Sequence, residues 1–273
     1  MCDDCVSPTP PLNRRRLVQL SAATAGSVAV AAAGLWSRTD NAVDAQDNVH
    51  WEYEGEAGPE HWGELDPDYA TCGSGTAQSP IDIVDPVDAD LVDIEINYQP
   101  ISPMKIVNNG HTIQVTADPG STLTLEGVEY VLQQFHFHQP SEHTINGEHQ
   151  RLEMHLVHKT EAGDAAVLSV LLREGTGGEA YEPIFANLPT EIGAQQTIDV
   201  TVNPADLLPG VSTTYRYEGS LTTPPCTEGV QWLVFTEPVE LSAAQVATAD
   251  AFQSNNRPVQ PKNDRPVEQD TTG

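Results

Sequence analysis

Three histidines carry the strongest chemical signal in this chain of 273 residues. They stand in Gln134-Phe135-His136-Phe137-His138 and in Glu153-Met154-His155. Residues i and i+2 of a strand share a face, so His136 and His138 point one way with Gln134, while Phe135 and Phe137 point into a core. Glu153 and His155 share a face by the same rule. If the two segments pair as antiparallel neighbours, three imidazoles converge. Three nitrogens with a fourth position open describe a catalytic zinc site rather than a closed structural one. Gln134 and Glu153 can each accept the N–H of a ligand imidazole, which fixes its tautomer and ring angle. A bare His-x-His says little in a chain with nine histidines; the third histidine and the two placed acceptors raise the signal. Imidazole suits several metals, so the donor set alone leaves cobalt and iron open beside zinc.

Such a site needs strands, and the middle of the chain supplies them. Ile81–Val84, Ile94–Tyr98, Met104–Asn108, His111–Val115 and Leu123–Leu125 read as short strands punctuated by Pro, Gly and Asn. Val131–His138, Glu148–His158 and Ala165–Leu172 read as longer ones, and Val230–Phe235 as a late strand near the centre. Asn146-Gly147 is a hairpin signal placed to join the two metal strands. Gly178–Asn187 and Ser242–Gln253 read as helices, the second with Ser242 as its N-cap. The expected fold class is mainly β: a central twisted, mostly antiparallel sheet with short peripheral helices. The length suits one sizeable domain.

The charge is extreme: 40 acids against 12 bases give −28. Residues 1–45 contain four of each, so the whole deficit belongs to the rest of the chain, where the only lysines are Lys105, Lys159 and Lys262. Nucleic-acid binding needs clustered base and is not expected. A deficit spread over a whole domain reads as adaptation to high salt. Residues 1–45 read as a targeting segment: Asn13-Arg14-Arg15-Arg16-Leu17-Val18-Gln19 resembles a twin-arginine signal, followed by an uncharged stretch to Trp36. Cleavage near Val43-Asp44-Ala45 is expected, with an uncleaved anchor as the alternative. Residues 46–50 read as a linker, 51–267 as the domain and 268–273 as a disordered tail. The expected location is extracellular or cell-surface, with no stable membrane association after cleavage; oligomeric state is open.

From Trp51 to about Val267 the chain resembles the α-class carbonic anhydrases. The resemblance rests on Trp51-Glu52-Tyr53, His61-Trp62-Gly63, Gln78-Ser79-Pro80-Ile81-Asp82-Ile83 and Asn108-Asn109-Gly110-His111, and on both metal segments with Ser141-Glu142-His143-Thr144 between them. Gly219-Ser220-Leu221-Thr222-Thr223-Pro224-Pro225-Cys226 and Asn256-Arg257-Pro258-Val259-Gln260-Pro261 complete it. It implies one zinc per chain on His136, His138 and His155, and reversible hydration of carbon dioxide to bicarbonate and a proton by attack of zinc-bound hydroxide. It implies that Thr222 and Glu142 orient the nucleophile, that His111 shuttles the proton, and that the backbone carbonyl of Asn255 supports His138. Val157, Val167, Leu221, Thr223, Val230 and Trp232 match the substrate pocket. Tyr53, Asn109 and Gln114 match the polar side of the cavity. Cys72 and Cys226 match the disulfide of exported members. Gln139-Pro140-Ser141 replaces the Trp-Gly common after the second ligand in animal members, which resembles bacterial ones and alters the cavity rim. His143 and His158 read as buried structural hydrogen bonders, and His50, His61 and His149 as surface or N-terminal residues. The spacing from His136 to Glu142 also fits the first metal motif of cupins, but that motif's glycines and its second half are missing. A protein on the same fold that only binds partners, without turnover, is the other alternative.

Overall fold

The structure, a computed structural model, describes residues 49–270. The twin-arginine-like segment, the cleavage expected near Val43-Asp44-Ala45 and residues 271–273 lie outside the described residues. In chain order the strands are β1 (Asp82–Ile83), β2 (Val87–Ala89), β3 (Glu95–Asn97), β4 (Met104–Asn108), β5 (Ile113–Thr116), β6 (Thr122–Leu125) and β7 (Val128–His138). There follow β8 (Thr144–Ile145), β9 (Glu148–His149), β10 (Leu152–Lys159), β11 (Ala165–Gly175), β12 (Gln195–Ile198), β13 (Thr214–Ser220), β14 (Glu228–Phe235), β15 (Val239–Ser242) and β16 (Glu268–Asp270). The helices are short: α1 (Trp62–Leu65), α2 (Thr71–Ser74), α3 (Glu182–Phe185) and α4 (Ala243–Ala249).

One large sheet runs β12-β4-β5-β7-β10-β11-β14-β13-β16-β2. Its pairs are mostly antiparallel, but β11 and β14 run parallel at the centre. Period-2 alternation divides the strands between two cores. Phe135, Phe137, Met154, Leu156, Leu168, Val170 and Leu233 pack on one side. Val167, Leu171, Val230, Trp232 and Val234 pack on the other, beneath Ile81 and Ile83. The pairing of β7 with β10 sets His136 opposite His155 and His138 opposite Glu153. A one-residue slip would turn either row to the wrong face, so the two apolar cores hold the register.

The structure departs from the sequence expectations in four places. Asn146 and Gly147 do form the left-handed turn their types favour, with φ of 52° and 81°. That turn joins β8 to β9, which pair with each other and, through β8, with β1 in a separate small sheet. It does not join the metal strands directly. The run expected over Glu148–His158 is broken for the same reason: Gln150 and Ser141 bond each other's backbones and side chain where the chain turns from β9 into β10. The helix expected over Gly178–Asn187 shrinks to a 3-10 turn at Glu179–Tyr181 and α3, and the one expected over Ser242–Gln253 stops at Ala249. Ser242 caps α4 as expected, within a full capping box with Gln245. Of the tail expected to be disordered, the described residues Glu268–Asp270 instead form β16, which pairs with β13. There Arg216 donates to Asp270 at 2.6 Å, an ion pair of two buried side chains that fastens the C-terminal strand. A pairing between residues 54 positions apart leaves no local sequence pattern.

Cys72 on α2 is bonded to Cys226. The bridge sits in a third apolar cluster with Trp62 and Tyr69, against which Trp51 and Tyr53 pack. Closing a loop between cysteines 154 positions apart contributes about 4–5 kcal/mol in the chain-entropy account.

Candidate metal centre

Each of the three expected ligands is held through one ring nitrogen and leaves the other free. His136 Nδ1 meets Gln134 Oε1 at 2.8 Å, and the backbone carbonyl of Asn255 accepts from His138 Nδ1 at 2.7 Å. Glu153 Oε1 accepts from His155 Nε2 at 2.8 Å. One ligand-capable atom from each imidazole lies within 4.8 Å of the others. His138 Nε2 is buried with no hydrogen-bond partner. A buried ring nitrogen without a partner is costly unless something is meant to meet it. Burial lowers the basicity of all three: it takes His138 to about 4 and, reinforced by His138 and His155, takes His136 well below the ordinary histidine value. His155 is lowered by burial against the pull of Glu153. Neutral imidazoles are the ligating form, so the donor set fits zinc.

His143, Glu153 and His155 form a second cluster of close donors. Its atoms are already committed. Glu153 Oε1 accepts from His143 Nδ1 at 2.7 Å and Glu153 Oε2 from the His143 backbone N–H at 2.8 Å. His143 Nε2 meets the Tyr217 hydroxyl at 2.6 Å, and that hydroxyl meets Ser79 Oγ at 2.9 Å. Burial would raise Glu153, but its interactions with His143 and His155 hold it well below the usual carboxylate range. The cluster is a support for His155. His158 is also structural: its Nε2 meets the Tyr98 hydroxyl at 2.8 Å on the far side of the sheet.

Glu142 is fully buried beside the ligands. Its Oε1 accepts from the Arg257 backbone N–H at 2.8 Å, and its Oε2, with no hydrogen-bond partner, lies 3.6 Å from His138 Nε2. Burial raises its pKa to about 7, while His155, the Arg257 N–H and the Thr222 hydroxyl pull it back. Thr222 is buried in the turn between β13 and β14. Tyr53 is pushed well above the ordinary phenol value by burial and by Glu142. His111 lies in the turn before β5, its ring stacked on Trp51 at 3.7 Å, its Nδ1 buried without a partner. Burial lowers His111, Glu52 raises it and His50 lowers it.

Gln114 pairs with His136 across β5 and β7 and so lies on the ligand face. The Asn109 Oδ1 accepts from the backbone N–H groups of His111 and Thr112 and shapes the turn that presents His111. Val167, Val230 and Trp232 are buried, with Val157 and Leu221 packed against them, and Trp232 meets the His155 ring edge-on at 4.9 Å. Thr223 is half-buried beside Thr222. A cavity of about 490 Å³ reaches His111, Tyr53, His138 and Asn255, but continues toward Phe185 and Phe252 rather than along this apolar wall.

Sequence reasoning missed three contributors. Arg257 is buried; its guanidinium donates to Gln78 Oε1 and to the carbonyls of Ser79 and Cys72, and lies over the Trp62 ring. An arginine in a chain with so few bases was a signal. Ser169, the one polar residue in the apolar run Ala165–Leu172, was a signal too; Tyr217 gave none, because its partners are distant in sequence.

The family model for eukaryotic-type carbonic anhydrase matches residues 57–271. A carbonic anhydrase of Pectobacterium carotovorum is 41% identical over 225 residues, covering 82% of this chain and 92% of the relative. One from Klebsiella pneumoniae is 44% identical, covering 80% and 90%. Among solved structures, the α-carbonic anhydrase of Thermovibrio ammonificans, in complex with the inhibitor sulfanilamide, superposes with a TM-score of 0.77 at 44% identity. That match covers 81% of this chain and 99% of the other.

Proposed function

The chain belongs to the eukaryotic-type carbonic anhydrase family, and from that premise we propose how its own residues divide the work. It is a zinc-dependent lyase that catalyses the reversible hydration of carbon dioxide to bicarbonate and a proton. His136, His138 and His155 hold the metal. Bound there, zinc would supply the Lewis acidity that makes water a nucleophile near neutral pH. Thr222 accepts a hydrogen bond from the attacking oxygen while donating its own hydrogen to Glu142, which aims a lone pair at the substrate carbon. Glu142 can serve because Arg257 occupies its Oε1 and leaves Oε2 for the site. Val157, Val167, Leu221, Val230 and Trp232 offer carbon dioxide an apolar wall, with Thr223 at its edge. Gln114 on the ligand face and Tyr53, whose ring meets that of His111 edge-on at 6.4 Å, form the polar side of the site toward His111. His111 receives the proton and passes it to buffer: imidazole is the side chain whose ordinary pKa lies nearest neutrality, and burial lowers that of His111, which favours release of the proton.

The observation that carries the reading is the convergence of three imidazoles, each oriented by its own acceptor. Carbon dioxide hydration with zinc content measured on the same purified sample tests it. About one zinc per chain and turnover, both lost on His155→Ala, are the expected results. A folded protein that takes up no zinc would refute the ligand set, and stoichiometric zinc without turnover would refute the activity.

The same reading extends to location. The triple arginine at Arg14–Arg16 and the uncharged stretch after it support export by the twin-arginine route, and a disulfide suits an oxidising compartment. The acidic balance supports a salt-rich setting outside the cell.

A further inference from the structure

Strand β11 is apolar from Ala165 to Leu172 except at one position, Ser169. Ser169 is wholly buried. A buried hydroxyl costs free energy unless it is bonded, so a lone one in an apolar row calls for a reason. The pairing of β10 with β11 sets Ser169 directly opposite His155. Its row on β11, with Val167 and Leu171, lies on the ligand side of the sheet. From there its hydroxyl donates to Glu153 Oε1 at 2.5 Å. The same oxygen accepts from His155 Nε2 at 2.8 Å and from His143 Nδ1 at 2.7 Å.

We propose that Ser169 is a positioning residue of the metal centre: it takes part of the Glu153 charge and so limits how strongly Glu153 draws on the His155 N–H. A carboxylate behind a ligand histidine raises the basicity of that ligand and strengthens its bond to the metal. Charge-assisted bonds to one oxygen compete, and the Ser169 bond is the shortest of the three. Removing it does not free the carboxylate, because the His143 backbone and ring still hold both oxygens. What changes is the share left for His155. The metal is then held more firmly, the opposite of what a loosened support would give.

The inference rests on His155 being a zinc ligand. It is tested by zinc release to a chelator from the wild-type holoenzyme and from Ser169→Ala and Ser169→Thr, with the imidazole N–H proton of His155 followed by NMR in the same samples. Outer partners of zinc histidines typically change affinity about 10–100-fold. Removing a competitor instead of the partner is expected to slow release from Ser169→Ala about three- to tenfold, with the His155 proton moving downfield. Ser169→Thr keeps the hydroxyl and is expected to match wild type. Release unchanged or faster in Ser169→Ala, or an unmoved His155 proton, overturns the proposal, as does Ser169→Thr behaving like Ser169→Ala. Wild-type protein that holds no zinc would overturn the ligand assignment itself, a result distinct from all of these.

Discussion

At the residue scale the site separates holding a metal from moving protons. His136, His138 and His155 are fixed by Gln134, the Asn255 carbonyl and Glu153, and burial keeps them neutral. Thr222 makes no contact with those supports among the described hydrogen bonds, so its loss should spare the metal. Thr222→Ala is expected to lower kcat/KM about 100-fold with zinc content unchanged, the size of an orientation effect. A drop in zinc content would count against the division of labour. His111 sits apart from the ligands on the Trp51 stack. His111→Ala is expected to lower kcat about tenfold or more in weak buffer with kcat/KM nearly unchanged, and imidazole in the assay should restore it. An equal fall in both parameters would place His111 in the hydration step instead. The residues that carry direct chemistry were legible because their spacing matches the pleat. Asn109 was legible by type, but its hold on the two backbone N–H groups of the His111 turn is seen only in the structure.

At the element scale, function depends on how four strands lie side by side. β7, β10, β11 and β14 each contribute one row to the ligand face, and that face is set by two opposed cores. His158 reports on the far core. Burial lowers its pKa to about 4 against its bonds to backbone carbonyls. Its depressed value means that the unfolded chain takes up a proton before the native one does. Its stabilising contribution is therefore present above about pH 6.5 and is lost as pH falls toward 4, by about 3 kcal/mol in all. The unfolding free energy of His158→Gln is expected to fall less steeply than that of wild type across that window; parallel pH curves would show that His158 is not the group responsible. Asn146-Gly147 illustrates a limit of local reading. The turn chemistry fixes a hairpin there, but which strands it joins depends on where β8 and β9 find partners, and β8 lies on β1, more than sixty residues upstream.

At the scale of the whole molecule, charge dominates. The 36 acids and 8 bases beyond residue 45 leave most carboxylates without a cationic partner, and self-repulsion opposes the compact state. At 1 M salt the Debye length is about 3 Å, short enough to screen that repulsion. The melting temperature should rise from dilute buffer to molar sodium chloride; a flat profile would refute salt adaptation. The amino-acid sequence by itself determined the chemistry of this protein: the ligand triad, its acceptors, the family and the sign of its surface charge. Those follow from residue type and from periods of two, which act over a few positions. The tertiary structure alone decided that Arg257 steers Glu142, that Ser169 competes for Glu153, and that Glu268–Asp270 closes onto β13. Each of these joins residues far apart in the chain, and only the packing of the sheet brings a hydroxyl on one strand within 2.5 Å of a carboxylate on another.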